Sequence, residues 1–161
     1  MEYEVAINDV EEQRIVSIRE RREARELAQF LASSFAELIG RLGLLGGKAA
    51  GPPLVIYHEF GPDTFDAEVC MPVRAQVGAS GRVRSRLLPA MTVARTVHVG
   101  PYDQLGEAHR AIAEWTKRRG FSPAGPVLER YLIGPGEMVA PAEYRTVIEQ
   151  PVVATPAPVA V

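Results

Sequence analysis

Cysteine is almost missing. Cys70 is the single one in 161 residues, so neither an intramolecular disulfide nor a thiolate metal cluster can form, a usage that fits a reducing cytoplasm. Charge of one sign is missing too: 18 basic residues stand against 20 acidic, for a formal net charge of −2. Such a chain has no general field for nucleic acid or an anionic membrane, and direct binding to either is not expected. Apolar runs fall far short of the roughly 20 residues of a membrane span. The opening Met1-Glu2-Tyr3-Glu4 has neither the basic nor the apolar part of an export signal. Histidine is scarce as well, and His58, His98 and His109 form no i, i+4 pair, so neither metal nor cofactor is expected. Ser80 and Cys70 have no base nearby in the sequence with which to form a nucleophilic pair.

What remains is the balance of one globular domain, 47% hydrophobic and 24% charged. All 13 prolines fall at Pro52 or later, and Gly40 is the only glycine before Gly43, so the first third is expected to be regular. Tyr3, Val5 and Ile7 alternate with polar residues and Ile15 to Arg19 is rich in β-branched residues, which gives two strands. From about Glu23, the residues Leu27, Leu31, Ser34, Phe35, Leu38 and Leu42 recur at helical spacing, with Gly43 as the stop. A hairpin follows, Leu54 to Phe60 and Phe65 to Met71 around Gly61-Pro62-Asp63. Thr92 to Val99 reads as a strand. Asp103 then caps a helix that carries Leu105, Ala108, Ile112 and Trp115, holds Lys117, Arg118 and Arg119 in its last turn, and ends at Gly120. A second hairpin takes Val127 to Ile133 and Tyr144 to Gln150, and the uncharged residues 153–161 read as a disordered tail.

Strand, helix, hairpin thus occurs twice. Gly51-Pro52-Pro53 through Tyr57 aligns with Gly125-Pro126-Val127 through Tyr131, and Pro72-Val73 with Pro151-Val152. The fold expected is α+β: duplicated βαββ units, about 3–73 and 92–152, related by a pseudo-twofold, with an antiparallel sheet, two main helices and a central groove in a single domain 1–152.

The chain resembles the GyrI-like effector-binding domain family, shared by gyrase-inhibitory-like proteins and the ligand-sensing halves of MerR- and AraC-type regulators. The matching residues are Gly51-Pro52-Pro53 leading to Tyr57-His58-Glu59, Asp66-Ala67-Glu68-Val69 leading to Pro72-Val73, and Leu88-Pro89. The match continues through His98-Val99-Gly100-Pro101-Tyr102 with Leu105, Trp115, Gly120, Gly125-Pro126, Glu129 with Tyr131, and Pro151-Val152. The resemblance implies a pocket for hydrophobic, often cationic, small molecules, in a sensor or a sequestering protein that works with a separate DNA-binding or target protein. With the first strand following Met1 almost at once, no helix-turn-helix is expected here, and the chain reads as either a free-standing member or a fragment. Family members often carry a glutamate four positions before the final Pro-Val, where this chain has Val147; Glu149 stands two residues later as a partial substitute, and Glu68 keeps the acid in the first repeat.

Glu129 and Tyr131 are two apart in a strand and share a face, while Leu128 and Leu132 take the other, expected to meet a helix. An acid beside aromatic rings is cation-binding chemistry; the competing role for Glu129 is a salt bridge to Arg130 or Arg145. Tyr57, Tyr102 and Trp115 offer ring faces to a ligand, with core packing as the alternative, above all for Trp115. His98 either supplies a polar tip to the groove or bonds near a strand end. Arginines 14, 19, 21, 22 and 25 are interleaved with acids and read as a solvated face. Arg82, Arg84 and Arg86 alternate without acids, which suits an anionic partner or a protected edge. Two activities compete with simple binding. Some members of the resembling family hydrolyse cyclopropane-type electrophiles, a role that Glu129 as base with Tyr131 or Tyr102 as proton donor would suit. Inhibition of gyrase would call for a strongly acidic face, which is not evident.

Overall fold

The computed structural model describes residues 2–44, 47 and 49–156. Among them the chain runs β1 (Ala6–Val10), β2 (Gln13–Glu23), α1 (Leu27–Leu44), β3 (Leu54–Phe60), β4 (Thr64–Pro72), β5 (Arg84–Leu88), β6 (Met91–Val99), α2 (Leu105–Arg119), β7 (Phe121–Pro123), β8 (Val127–Ile133) and β9 (Arg145–Ala154). The strands form an antiparallel sheet in the order β1-β6-β9-β8-β3-β4-β2-β5, with β7 paired to β9 off this path. The class is α+β, a curled antiparallel sheet with two helices.

The curl follows from two short links. Glu11-Glu12 joins β1, at one end of the order, to β2, next to the other end, and Pro89-Ala90 joins β5 to β6 in the opposite sense. Two residues span only about 10 Å, so the far ends of the sheet must approach each other. The helix-free side is thereby turned inward: Ile15, Leu54, Ile56, Cys70, Leu88 and Leu128 form a core there, none more than 5% exposed. On the other side α1 packs through Phe30, Leu38 and Leu42 on Val16, Ile18, Val55, Phe65 and Val69. Ala108 and Ile112 of α2 pack on Ala94, Ile148 and Val152. Leu128 therefore faces away from the helices, contrary to the expectation, because the curl makes the helix-free side a second buried interior.

Several boundaries differ from the sequence reading. Glu23 ends β2 and precedes a 3-10 turn, Ala24–Glu26, so α1 starts only at Leu27. Gly43 lies inside α1, and the helix buries Phe30 on its core seam, a residue the Leu27-Leu31 spacing passed over. Asp103 sits in the 3-10 turn Tyr102–Gln104 and makes no side-chain cap. Gly120 does stop α2: at φ 78° it takes the left-handed conformation that glycine adopts without strain, and its N–H reaches the Lys117 and Thr116 carbonyls. Val153 and Ala154, read as tail, continue β9 beside Phe121 and Ser122, and the Thr155 N–H bonds the Gly120 carbonyl at 2.8 Å. Residues 157–161 of that expected tail lie outside the described residues.

Candidate ligand-binding site around Glu129

The centre of the sheet is the β3–β8 ladder, where Val55 lies opposite Glu129 and Tyr57 opposite Val127. Strand alternation points Val55, Tyr57, Glu129 and Tyr131 toward the helix side. Glu129 is 5% exposed, and its carboxylate is bonded at both oxygens: the Tyr131 hydroxyl donates to Oε1 at 2.8 Å, and His109 Nε2 of α2 meets Oε2 at 2.6 Å. No arginine approaches it among the described ion pairs, so the alternative pairing with Arg130 or Arg145 is not made.

An aromatic cluster adjoins this carboxylate through Tyr131. Tyr131 meets Phe35 of α1 edge-on at 6.2 Å and Tyr102, just before α2, at 5.7 Å. Tyr102 in turn lies 5.1 Å from Tyr144, and Tyr57 packs edge-on against Phe60 at 5.7 Å. Burial first, and then the charge of Glu129, push the Tyr131 and Tyr57 phenols well up. The Tyr102 phenol is raised too, by burial and then by its neighbours Tyr144, Glu137 and Glu129. The phenols thus stay protonated and offer O–H donors beside an acid, and the rings offer π-faces. Beyond His109, a cleft of about 510 Å³ opens between α2 and strands β7 to β9, floored by Ile112, Phe121, Val127 and Ile148.

The remaining sequence candidates stand apart. Trp115 stacks on Phe121 at 6.1 Å under the Arg119 guanidinium, near the end of α2. His98 is fully buried, its Nε2 donating to the Pro101 carbonyl and its Nδ1 bonded to the Tyr3 hydroxyl, which is a strand-end role. Glu68 and Glu149 occupy the helix-free side. Glu68 is bonded by His58 and Arg86, and Glu149 by Arg130 at 2.6 Å. Burial opposes the charge on Glu68, but hydrogen bonds from His58, Arg86 and Ser17 outweigh it and hold the carboxyl well below the usual range. Arg86 is therefore committed within the chain, as is Arg82 to Glu20 and Glu37. Sequence reasoning missed His109, which was weighed only as a metal ligand, and also Phe35 and Tyr144 as site aromatics. Its one signal was that His109 lies four residues after Leu105 and three before Ile112, on the border of the buried face of α2.

Among the described residues no helix is long and apolar enough to cross a membrane. Known structures share the fold. The EcmrR C-terminal domain superposes with a TM-score of 0.80 at 24% identity, covering 96% of this chain and all of that one. EcmrR in a complex with DNA gives 0.81 at 23% identity over 95% of this chain, which spans only 58% of the EcmrR chain. SAV2435 bound to tetraphenylphosphonium gives 0.67 at 16% identity, covering 95% of this chain and 94% of its own. A hydrolase from Listeria innocua gives 0.67 at 13%, covering 92% and 91%. No curated protein matches. The family model for the GyrI-like small molecule binding domain matches residues 3–153, nearly the whole chain, and the protein belongs to that family.

Proposed function

We propose that the domain binds hydrophobic organic cations at Glu129, as a ligand sensor or a sequestering protein. The observation that carries the reading is a buried carboxylate bonded by Tyr131, whose ring packs in turn against Phe35 and Tyr102. A carboxylate out of water gains from a cation that replaces lost solvation, and aromatic faces attract the same charge. SAV2435, of like fold, is known with tetraphenylphosphonium bound, and EcmrR, of like fold, with DNA. The two halves are also proposed to be duplicates about the β3–β8 ladder. Leu54 pairs with Cys70 as Leu128 does with Glu149, and the ladders slip at matching places, between Tyr57 and Glu59 and between Tyr131 and Ile133. Calorimetric titration with tetraphenylphosphonium and with neutral triphenylphosphine oxide tests the reading: it expects clearly tighter binding of the cation, and equal or no binding of both would refute it.

The second reading is a hydrolase, favoured by the Tyr131 hydroxyl held against Glu129 Oε1, an arrangement of a base with a proton donor. Turnover of a cyclopropane-type electrophile, followed by mass spectrometry, separates it from binding alone.

A further inference from the structure

The Glu129 carboxylate already has partners on both oxygens, and the two differ in how readily they leave. Tyr131 sits two positions along the same strand, its ring fixed between Phe35 and Tyr102. His109 comes from α2, keeps 32% of its side chain exposed, and also lines the 510 Å³ cleft on its other side. That cleft lies open beside the ring, within reach of a change of side-chain rotamer. It is the one basic group paired with Glu129 among the described residues.

We propose that His109 is an internal competitor for the ligand: it occupies Glu129 in the empty protein, and a cation binds by displacing the ring into the cleft floored by Ile112, Phe121 and Ile148. The inference rests on the reading of Glu129 as the partner of a cation. A cation replaces the lost donor with charge in a region of low dielectric, so the exchange is tolerated. A neutral aromatic ligand offers no such replacement and leaves the His109–Glu129 contact in place, because a buried oxygen stripped of its donor is costly. His109 therefore lowers affinity for cations selectively, and thereby sets the concentration at which the domain responds.

Calorimetry on the full chain with tetraphenylphosphonium and triphenylphosphine oxide tests this in H109A, E129Q and H109A/E129Q. H109A is expected to bind the cation about tenfold more tightly and the neutral ligand as wild type does. In the E129Q background, removal of His109 changes neither. H109Q, which keeps an amide of similar reach, gives a smaller gain and serves if H109A fails to fold. In the wild type, the His109 ring resonances shift on adding the cation and stay fixed with the neutral ligand. Weaker cation binding in H109A, equal gains for both ligands, or a gain that persists without Glu129 would each overturn the inference while leaving the proposed site intact. Undiminished cation binding in E129Q would remove the site and the inference together.

Discussion

Glu129 and Arg130 are neighbours in sequence, yet their charges never meet: the carboxylate bonds His109 and Tyr131 on the helix side, while the guanidinium bonds Glu149 at 2.6 Å on the other. The period-two alternation of a strand keeps them apart. It sets one acid against a fixed phenol and a partly exposed imidazole, and the other in a closed ion pair.

Replacing Glu129 by Gln keeps shape and removes charge. Cationic ligands lose a charge-assisted contact worth roughly 1.5–3 kcal/mol, so binding weakens about tenfold to a hundredfold, whereas neutral aromatics bind nearly as before. The amide retains one acceptor for Tyr131, so stability changes by only about 1 kcal/mol. Titration and urea denaturation of the same preparation check both.

Replacing Glu149 by Ala has the opposite profile. It strips the partner from Arg130, whose side chain is only 11% exposed, and breaking such a buried pair from one side costs about 3–5 kcal/mol. Ligand affinity of the folded protein is expected to be unchanged. A fall in affinity with stability intact would return Glu149 to the binding site.

The halves of this arrangement differed in how legible they were in the sequence. Hairpins β3–β4 and β8–β9 were readable because proline and glycine punctuate them, and the i, i+2 spacing of Glu129 and Tyr131 put them on one face without any structure. Which face met the helices was not readable, because both faces of this sheet are buried: Leu128 is 1% exposed, and Val55 under α1 is 0%. His109 was missed for a related reason, since its partner lies 20 residues away on another element and no local pattern encodes that meeting. The short strand β7 carries a proline and has three residues, too few for a period.

Acid should act through Glu68. Its folded pKa lies below its unfolded value, so its bonds to His58 and Arg86 stabilise the fold fully above the ordinary glutamate range, near pH 4.3, and are lost as pH falls through the lower folded value. E68Q is expected to be less stable than wild type at pH 7 and to lose less on acidification below about pH 4.5. Thermal unfolding across that range reads the difference; parallel curves would show that the carboxylate contributes nothing to the acid response.

Gly134 offers a probe of the aromatic wall that does not touch Glu129. A Cβ there would come within 2.7 Å of the Tyr102 hydroxyl, so G134A must shift that ring from its place beside Tyr131 and Gly134. The expected result is a several-fold loss for all aromatic ligands, charged or neutral, with little loss of stability because Tyr102 is 37% exposed.

Trp115, stacked on Phe121 away from Glu129, should report on the fold and not on the ligand. W115F is expected to cost about 1 kcal/mol, from the lost stacking area, and to leave affinities within twofold. A large change in affinity would bring Trp115 into the site.

The curl of the sheet also governs how the chain can reach its native state. Ala6 pairs with Arg95 and Leu54 with Arg130, so both the central ladder and the β1 edge join segments more than seventy residues apart. Contacts of such separation require large loops to close before any of them is rewarded, which places refolding on the order of milliseconds to seconds rather than microseconds. Until β8 docks on β3, each hairpin exposes an unpaired edge beside an apolar face, so newly made chains are open to association with one another at just the ladder that later holds Glu129.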